Sequence, residues 1–141
     1  RLIVLEDAAE LSLSGHPNSA RLLYSQDGQG LARVTAKPLL EESLRLRPDR
    51  ILLAELRGEE AYYYLRNVNS GHPGSITSIH ASSASLAFEQ LTLLVKESPA
   101  GRELARADIR ALLDQLIDVV VQCGVEGQRR IVREVWWREA G

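Results

Sequence analysis

The chain has 141 residues, of which 45% are hydrophobic and 26% are charged, as in an ordinary globular domain. This composition excludes a disordered tail, a collagen-like repeat and a small disulfide scaffold. The net charge of −2 argues against a dedicated nucleic-acid surface, which would be strongly basic, although a local basic patch stays open. The single cysteine, Cys123, permits neither an internal disulfide nor a cysteine-based zinc site, and it suits a reducing compartment.

Methionine is absent, and the chain opens on an apolar run that is typical of the middle of a sheet. We therefore expect a piece of a longer protein. A compositional bias towards arginine would explain a shortage of methionine, but it would not explain a missing initiator.

The first half of the chain alternates short apolar runs with loops. Residues 2–5 form an unbroken apolar run, as expected of a strand buried on both faces, and the run ends at Glu6 and Asp7. Residues 8–18 predict a loop, residues 21–24 a second strand and residues 26–30 a flexible turn. Thr35 is a candidate cap for a helix that Pro48 stops, because the residue before proline avoids the helical region.

The second half continues the alternation and ends in a hairpin. The predicted elements are a strand over 51–54, a helix over 59–69, a strand over 74–80, a helix capped by Ser82 or Ser83, an amphipathic helix around 109–116, a strand over 117–123, a turn over 124–128 and a returning strand over 131–137. Strands that alternate with helices predict an α/β domain with a mainly parallel sheet and helices on its faces. We expect one domain over 1–141, incomplete on its N-terminal side, with a C-terminal antiparallel hairpin.

A first polar constellation, Glu6 and Asp7, follows the first apolar strand. Open α/β sheets bind ligands at the carboxyl ends of their strands. There a carboxylate pair can hold Mg²⁺ through water or orient a nucleophilic water. Spacing alone favours a solvated turn with a capping aspartate.

A second constellation ends the strand over 51–54. Four apolar residues followed by Glu55 have the form of a Walker B strand, whose acid binds Mg²⁺ or activates water beside a nucleotide. The ordinary interpretation is a strand end at which Glu55 pairs with Arg57.

A third constellation, residues 71–81, contains His72 and His80. The segment offers neither a matching cysteine nor a close histidine pair, so it does not predict a zinc site. His72 lies among glycines, where the backbone could approach a phosphate, and His80 ends the predicted strand at the edge that carries Glu55. One loop histidine and one partly buried strand-end histidine is the ordinary interpretation. The sequence contains no G-x-x-x-x-G-K-[ST], G-x-G-x-x-G, G-x-S-x-G or H-E-x-x-H motif.

In this order and spacing, the three segments resemble the motifs of the secretion ATPases of type II and type IV secretion systems, which are RecA-like P-loop NTPases working as hexameric rings. Residues 5–11 resemble the family's Asp box, residues 48–57 its Walker B segment, and residues 71–81 match its His box at every fixed position. The resemblance covers essentially the whole chain and is nearest to the traffic ATPase of type IV secretion and conjugation. Ala54 departs from the pattern, since the family usually has glycine there.

The resemblance implies roles for single residues. Glu6 is expected to orient the attacking water or a metal-bound water, Glu55 to lie near Mg²⁺ and the γ-phosphate, and His80 to sense that phosphate. The expected nucleotide or inter-subunit contacts are Asp7, Arg47, Arg57 and His72.

The resemblance also implies ATP and Mg²⁺ as cofactors and a homo-hexamer that works with other type IV secretion ATPases and inner-membrane components. It implies a cytoplasmic location, peripheral on the inner membrane, without sequence-specific nucleic-acid binding. An upstream strand, a Walker A loop and an N-terminal domain are missing, so we expect activity from the longer protein and little or none from these residues alone. A non-catalytic assembly fragment, a type II secretion or pilus ATPase, and a RecA-like helicase relative stay open.

Overall fold

Four parallel strands form the main sheet, in the order β2-β1-β3-β4. The computed structural model describes residues 1–25 and 33–139. The strands are β1 (Leu2–Glu6), β2 (Ser19–Leu23), β3 (Arg50–Leu53) and β4 (Ile76–Thr77). The predicted parallel sheet is therefore confirmed, whereas the flexible turn predicted at 26–30 lies outside the described residues.

The two central strands are the most deeply buried part of the sheet. Ile3, Leu5, Ile51 and Leu53 are almost completely inaccessible to solvent. Burial of such a side chain contributes about 1.5–3 kcal/mol, which explains why β1 and β3 are the unbroken apolar runs of the sequence. These strands form a rigid base for the polar residues that follow them.

Helices cover the sheet. They are α1 (Ala36–Ser43), α2 (Glu60–Asn69), α3 (Ala84–Glu97), α4 (Pro99–Arg102) and α5 (Arg106–Leu116). The core packs Leu40, Tyr64, Phe88 and Leu113 together with the central strands. Over 1–25 and 33–139, none of these helices combines the length and the apolar character that a membrane span requires.

The first helix ends at Ser43, earlier than the end predicted from Pro48. A 3₁₀ turn (Leu44–Leu46) follows α1, and Arg47 then adopts the left-handed conformation with φ of 52°. The carbonyl of Leu40 accepts bonds from the Ser43 hydroxyl at 2.7 Å and from the Asn67 amide at 2.8 Å. Side-chain bonds of this kind compete with the regular helical ladder and favour its end here.

β4 is shorter than the predicted strand over 74–80. It pairs with β3 only through Leu52↔Ile76 and Leu53↔Thr77, because β3 itself ends at Leu53. Beyond this point the Ser78 carbonyl accepts from the Leu56 N–H at 2.9 Å. The segment therefore stays attached to the chain that follows β3.

The C-terminal hairpin is a separate two-stranded sheet, as predicted. It consists of β5 (Val119–Glu126) and β6 (Arg129–Trp137). The turn is tighter than predicted, since Gly127, with φ of 60°, and Gln128 alone connect the strands. Its inner face packs on α3, where the Phe88 and Trp136 rings meet edge to face at 4.8 Å. Its outer face exposes Val119, Val121, Val125, Val132, Val135 and Trp137.

Candidate active site

Strand register brings most of the predicted site residues to one edge of the main sheet. Pairing of β1 with β3 continues beyond the strands, because the Ala54 N–H donates to the Leu5 carbonyl at 2.9 Å. Glu6 and Glu55 therefore follow neighbouring strand ends, and the segment after β4 lies next to them. We call the resulting group the carboxyl-edge cluster, and its members are Glu6, Asp7, Glu55, Arg57 and His80.

Glu55 is at the centre of the cluster. Its side chain is only 17% exposed, and its Oε2 is paired with the Arg57 guanidinium. Its Oε1 is buried and lies 2.7 Å from Nε2 of His80. The hydrogen bond from Arg57 holds the pKa of Glu55 below its ordinary value of 4.5. The carboxylate is therefore charged at neutral pH.

Arg57 connects the two strand ends. Its Nη1 lies 3.6 Å from Oδ2 of Asp7, and its own pKa is raised chiefly by the hydrogen bond to Glu55. Glu60 fixes the backbone beside it, because its Oε1 accepts from the N–H groups of Arg57 at 2.5 Å and Gly58 at 2.8 Å. Sequence reasoning missed Glu60. An acid in the first turn of a helix that follows a glycine was the available signal.

Tyr24 is a second residue that sequence reasoning missed. It follows β2, and its N–H donates to the Glu6 carbonyl at 3.0 Å. Burial, and next the negative charge of Asp7, raises the pKa of Tyr24 to about 12. Its hydroxyl is therefore neutral, and it lies in the electrostatic field of the cluster. Only the presence of an aromatic residue at a strand end could have indicated it.

Glu6 points inward, unlike the other acids of the cluster. It is fully buried, and its Oε1 accepts from the N–H groups of Glu10 at 3.0 Å and Leu11 at 2.8 Å. Its Oε2 lies 2.8 Å from Nε of Arg21. These contacts tie down the loop after β1. The expected role of Glu6 in orienting water stays a prediction, and its visible contacts are structural.

Arg47 and His72 lie at the opposite, amino edge of the sheet. Arg47 precedes β3 and is exposed. His72 precedes β4, and its Nδ1 lies 2.9 Å from the Asn67 carbonyl oxygen. The expectation that they meet the same nucleotide as Glu55 is therefore not supported within one chain, because parallel strands separate their two ends. An inter-subunit contact of Arg47 stays a prediction.

The cluster fits a water-mediated magnesium site better than a protein cage. Within the described ranges, no group of three or more His, Cys, Asp or Glu residues is arranged to hold a metal ion. Mg²⁺ commonly keeps several waters and is bound through one or two carboxylates together with phosphates. The carboxylate of Glu55 at the end of β3 is the candidate to bind such a hydrated ion.

A family model described as "Type II/IV secretion system protein" matches residues 1–141. The chain belongs to this family. It is 59% identical over 132 residues to the type IV secretion system protein VirB11 of Bartonella quintana, covering 93% of this chain and 37% of that protein. It is 46% identical over 136 residues to the protein VirB11 of Agrobacterium fabrum, covering 96% and 39%.

Solved structures agree with this assignment. The VirB11 ATPase of the Brucella suis type IV secretion system, crystallised with sulphate, superimposes with a TM-score of 0.88 at 47% identity, over 97% of this chain and 40% of that one. The Legionella pneumophila ATPase DotB, at 16% identity and a TM-score of 0.71, shares the fold. The expected fold and family are confirmed, and the chain spans 37% of the Bartonella relative's length.

Proposed function

We propose that the chain is part of an ATP-hydrolysing hexameric motor for type IV secretion or conjugative transfer. The observation that carries this proposal is the setting of Glu55, a charged carboxylate that lies between the Arg57 guanidinium and the His80 ring. Its position after a buried parallel strand is where a Walker B acid acts. The Brucella suis relative, named as a VirB11 ATPase, supports the same activity.

The cluster suggests how hydrolysis proceeds. Mg²⁺ bound with ATP supplies the positive charge that offsets charge on the transferred phosphoryl group. Glu55 accepts a hydrogen bond from the attacking water and orients it, while Arg57 keeps the carboxylate ionised. His80, on the exposed side of Glu55, can donate to a phosphate oxygen. Asp7 holds Arg57 from the neighbouring strand end.

The remaining parts of the proposal follow the family. We assign residues 1–141 to the C-terminal portion of a RecA-like ATPase domain and place the phosphate cradle elsewhere in the longer protein, because no P-loop motif occurs in this sequence. Association with other secretion ATPases and inner-membrane components, and a cytoplasmic position at the inner membrane, belong to the same proposal.

The Glu55→Gln variant of the longer protein tests this proposal. We expect ATP hydrolysis to fall at least about 100-fold while ATP still binds, because the amide cannot accept a proton or stay charged. Glu126→Gln, which makes the same chemical change at an exposed position of the hairpin, is the matched control and should hydrolyse ATP normally. Undiminished hydrolysis by Glu55→Gln would refute the assignment.

The absence of a P-loop motif favours a second candidate for these 141 residues alone, a module that takes part in assembly without catalysis. A nucleotide that binds only the folded state stabilises it by about 2.7 kcal/mol at 100 times Kd. A melting temperature that does not respond to Mg-ATP supports the module, whereas hydrolysis by the isolated chain excludes it.

A further inference from the structure

His80 is held in place by its backbone and not by packing of its ring. The side chain is 92% exposed, and Oε1 of Glu55 is the polar atom that its ring approaches, at 2.7 Å. The residues between β4 and α3 form neither helix nor strand. The position of the imidazole therefore depends on what anchors this connecting segment at each end.

The first anchor is the strand side. The Ser78 hydroxyl donates to the Ala54 carbonyl at 2.6 Å, and the Ser78 carbonyl accepts from the Leu56 N–H at 2.9 Å. These two bonds hold the segment beside Glu55, which lies between Ala54 and Leu56 in the chain. They fix residue 78, and Ile79, the next residue, packs against the hydrophobic core.

The second anchor comes from the hairpin. Nε2 of Gln122 donates to the Ala81 carbonyl at 3.1 Å, one residue after His80. Oε2 of Glu134 accepts from the Ala84 N–H at 2.9 Å, at the start of α3. Gln122 and Glu134 are direct cross-strand partners in β5 and β6, so they act from one point of the hairpin.

Charge and packing make this anchor a firm one. A carboxylate at a helix N-terminus is favourable, and the Ser83 hydroxyl already caps Leu86 at 3.1 Å, so Glu134 satisfies a different amide. The hairpin is itself fixed on α3 by the Phe88–Trp136 contact. The connecting segment is thus held between the main sheet and the hairpin.

We propose that Gln122 and Glu134 are positioning residues that set the imidazole of His80 against Glu55. The consequence for hydrolysis rests on the proposed function, since it requires His80 and Glu55 to act on a nucleotide. The positioning itself can be measured in the nucleotide-free chain. The hairpin thereby acts on the candidate site through two side chains that bond to the backbone of the connecting segment.

Histidine ring signals in NMR spectra of ¹³C-labelled protein provide the direct test. The chain has three histidines, His16, His72 and His80, so each ring can be assigned. The Glu55→Gln variant shows where the His80 signal lies when the contact between His80 and residue 55 is weakened. We expect the Gln122→Ala, Glu134→Ala double variant to move the His80 signal towards that position and to leave the His72 signal in place.

Conservative and control variants separate positioning from general destabilisation. Glu134→Gln keeps an oxygen acceptor for the Ala84 N–H. This single variant, in which Gln122 is intact, should therefore keep the wild-type His80 signal. Glu126→Ala removes a carboxylate from the same hairpin away from the segment and should change nothing. If the double variant loses its fold, Gln122→Ala alone, which leaves the helix cap intact, is the variant to measure.

An unchanged His80 signal in a folded double variant overturns the proposal. Activity of the longer protein adds a second readout, in which the double variant should lower kcat about tenfold with little change in KM, because small displacements of catalytic groups are costly. The positioning fails if His80 stays in place, whereas the proposed function fails if Glu55→Gln hydrolyses ATP normally. The two failures are therefore distinguishable.

Discussion

The two edges of the main sheet carry similar residues and use them differently. At the carboxyl edge, charged side chains pair with one another, as Arg57 does with Glu55 and Asp7. At the amino edge, Asp49 pairs with the amino group of Arg1, but the side chains of His72 and Ser75 bond to backbone. His72 contacts the Asn67 carbonyl, and the Ser75 hydroxyl accepts from the Ile51 N–H at 3.0 Å.

This difference separates a site from a scaffold. Bonds to backbone fix the course of the chain and leave little for a ligand to compete with. Side-chain ion pairs at a half-exposed edge are weaker, and a phosphate or a hydrated cation can replace one partner. Residues that share one sequence motif therefore need not lie together, since the segment over 71–81 places one histidine at each edge.

Glu6 provides the strongest test of the difference between the two edges, because it lies at the carboxyl edge but bonds to backbone. Glu6→Ala should lower the free energy of unfolding by about 3 kcal/mol, because it leaves the Arg21 charge without its partner and two loop N–H groups without an acceptor. Glu6→Gln keeps an acceptor oxygen and should cost clearly less. Urea denaturation followed by circular dichroism measures both, and a loss below about 1 kcal/mol for Glu6→Ala would show that its contacts are not structural.

The two histidines should differ in how much they stabilise the fold, with His72 contributing more than His80. His72→Ala should lower the free energy of unfolding by about 1 kcal/mol, because a partly buried hydrogen bond is lost. His80→Ala should change it by less than about 0.5 kcal/mol, because the side chain is exposed. Equal losses in the same denaturation experiment would remove the distinction between the edges.

Arg57 determines how the carboxyl edge responds to acid. Arg57→Ala should raise the pKa of Glu55 towards 4.5, since the hydrogen bond that lowers it is gone. A carboxyl group whose pKa is lower in the folded state than in the unfolded state stabilises the fold at pH values above the unfolded-state pKa. This contribution is lost as the pH falls through the folded-state pKa. The wild type should therefore lose more stability than the variant below about pH 4.5.

Carboxyl ¹³C titration by NMR measures the pKa of Glu55 directly in the wild type and in Arg57→Ala. Arg129→Ala, on the hairpin, is the matched control for loss of one positive charge. An unchanged Glu55 titration in Arg57→Ala would mean that the guanidinium does not govern the carboxylate.

Substitution of Arg47, at the amino edge, has the smallest expected effect on the free energy of unfolding, and it should raise that free energy instead of lowering it. Its left-handed backbone costs a non-glycine residue about 1–2 kcal/mol, so Arg47→Gly should raise the free energy of unfolding by about 0.5 kcal/mol after the entropy cost of glycine. Arg45→Gly, two residues earlier in the 3₁₀ turn, should lower it by a similar amount. Destabilisation by Arg47→Gly would point instead to a contact that requires its side chain.

The central strands were predictable because strands buried on both faces must be apolar. β1 and β3 therefore stand out in the sequence, and the acids that end them fall at one edge by strand direction alone. The length of β4 was not predictable, since it depends on where its partner strand stops. Glu60 and Tyr24 also escaped prediction, because their contacts with the cluster arise only when separate elements pack.

Parallel strand direction placed Glu55 and His80 at one edge correctly, whereas Arg47 and His72 lie at the opposite edge. A motif read along the chain contains residues from both ends of a strand, and spacing does not indicate which end faces a ligand. The contacts of Glu6 show the same limit, because burial and backbone bonding of a carboxylate cannot be read from its neighbours in sequence.

The exposed outer face of the hairpin has a practical consequence. Cys123, the chain's one thiol, is exposed on this face between Val121 and Val125. A thiol-reactive dye will therefore attach at a single known point without any engineered substitution. Its labelling rate and emission colour would report how much water reaches this surface, in the 141-residue chain and in any longer protein that lacks other accessible thiols.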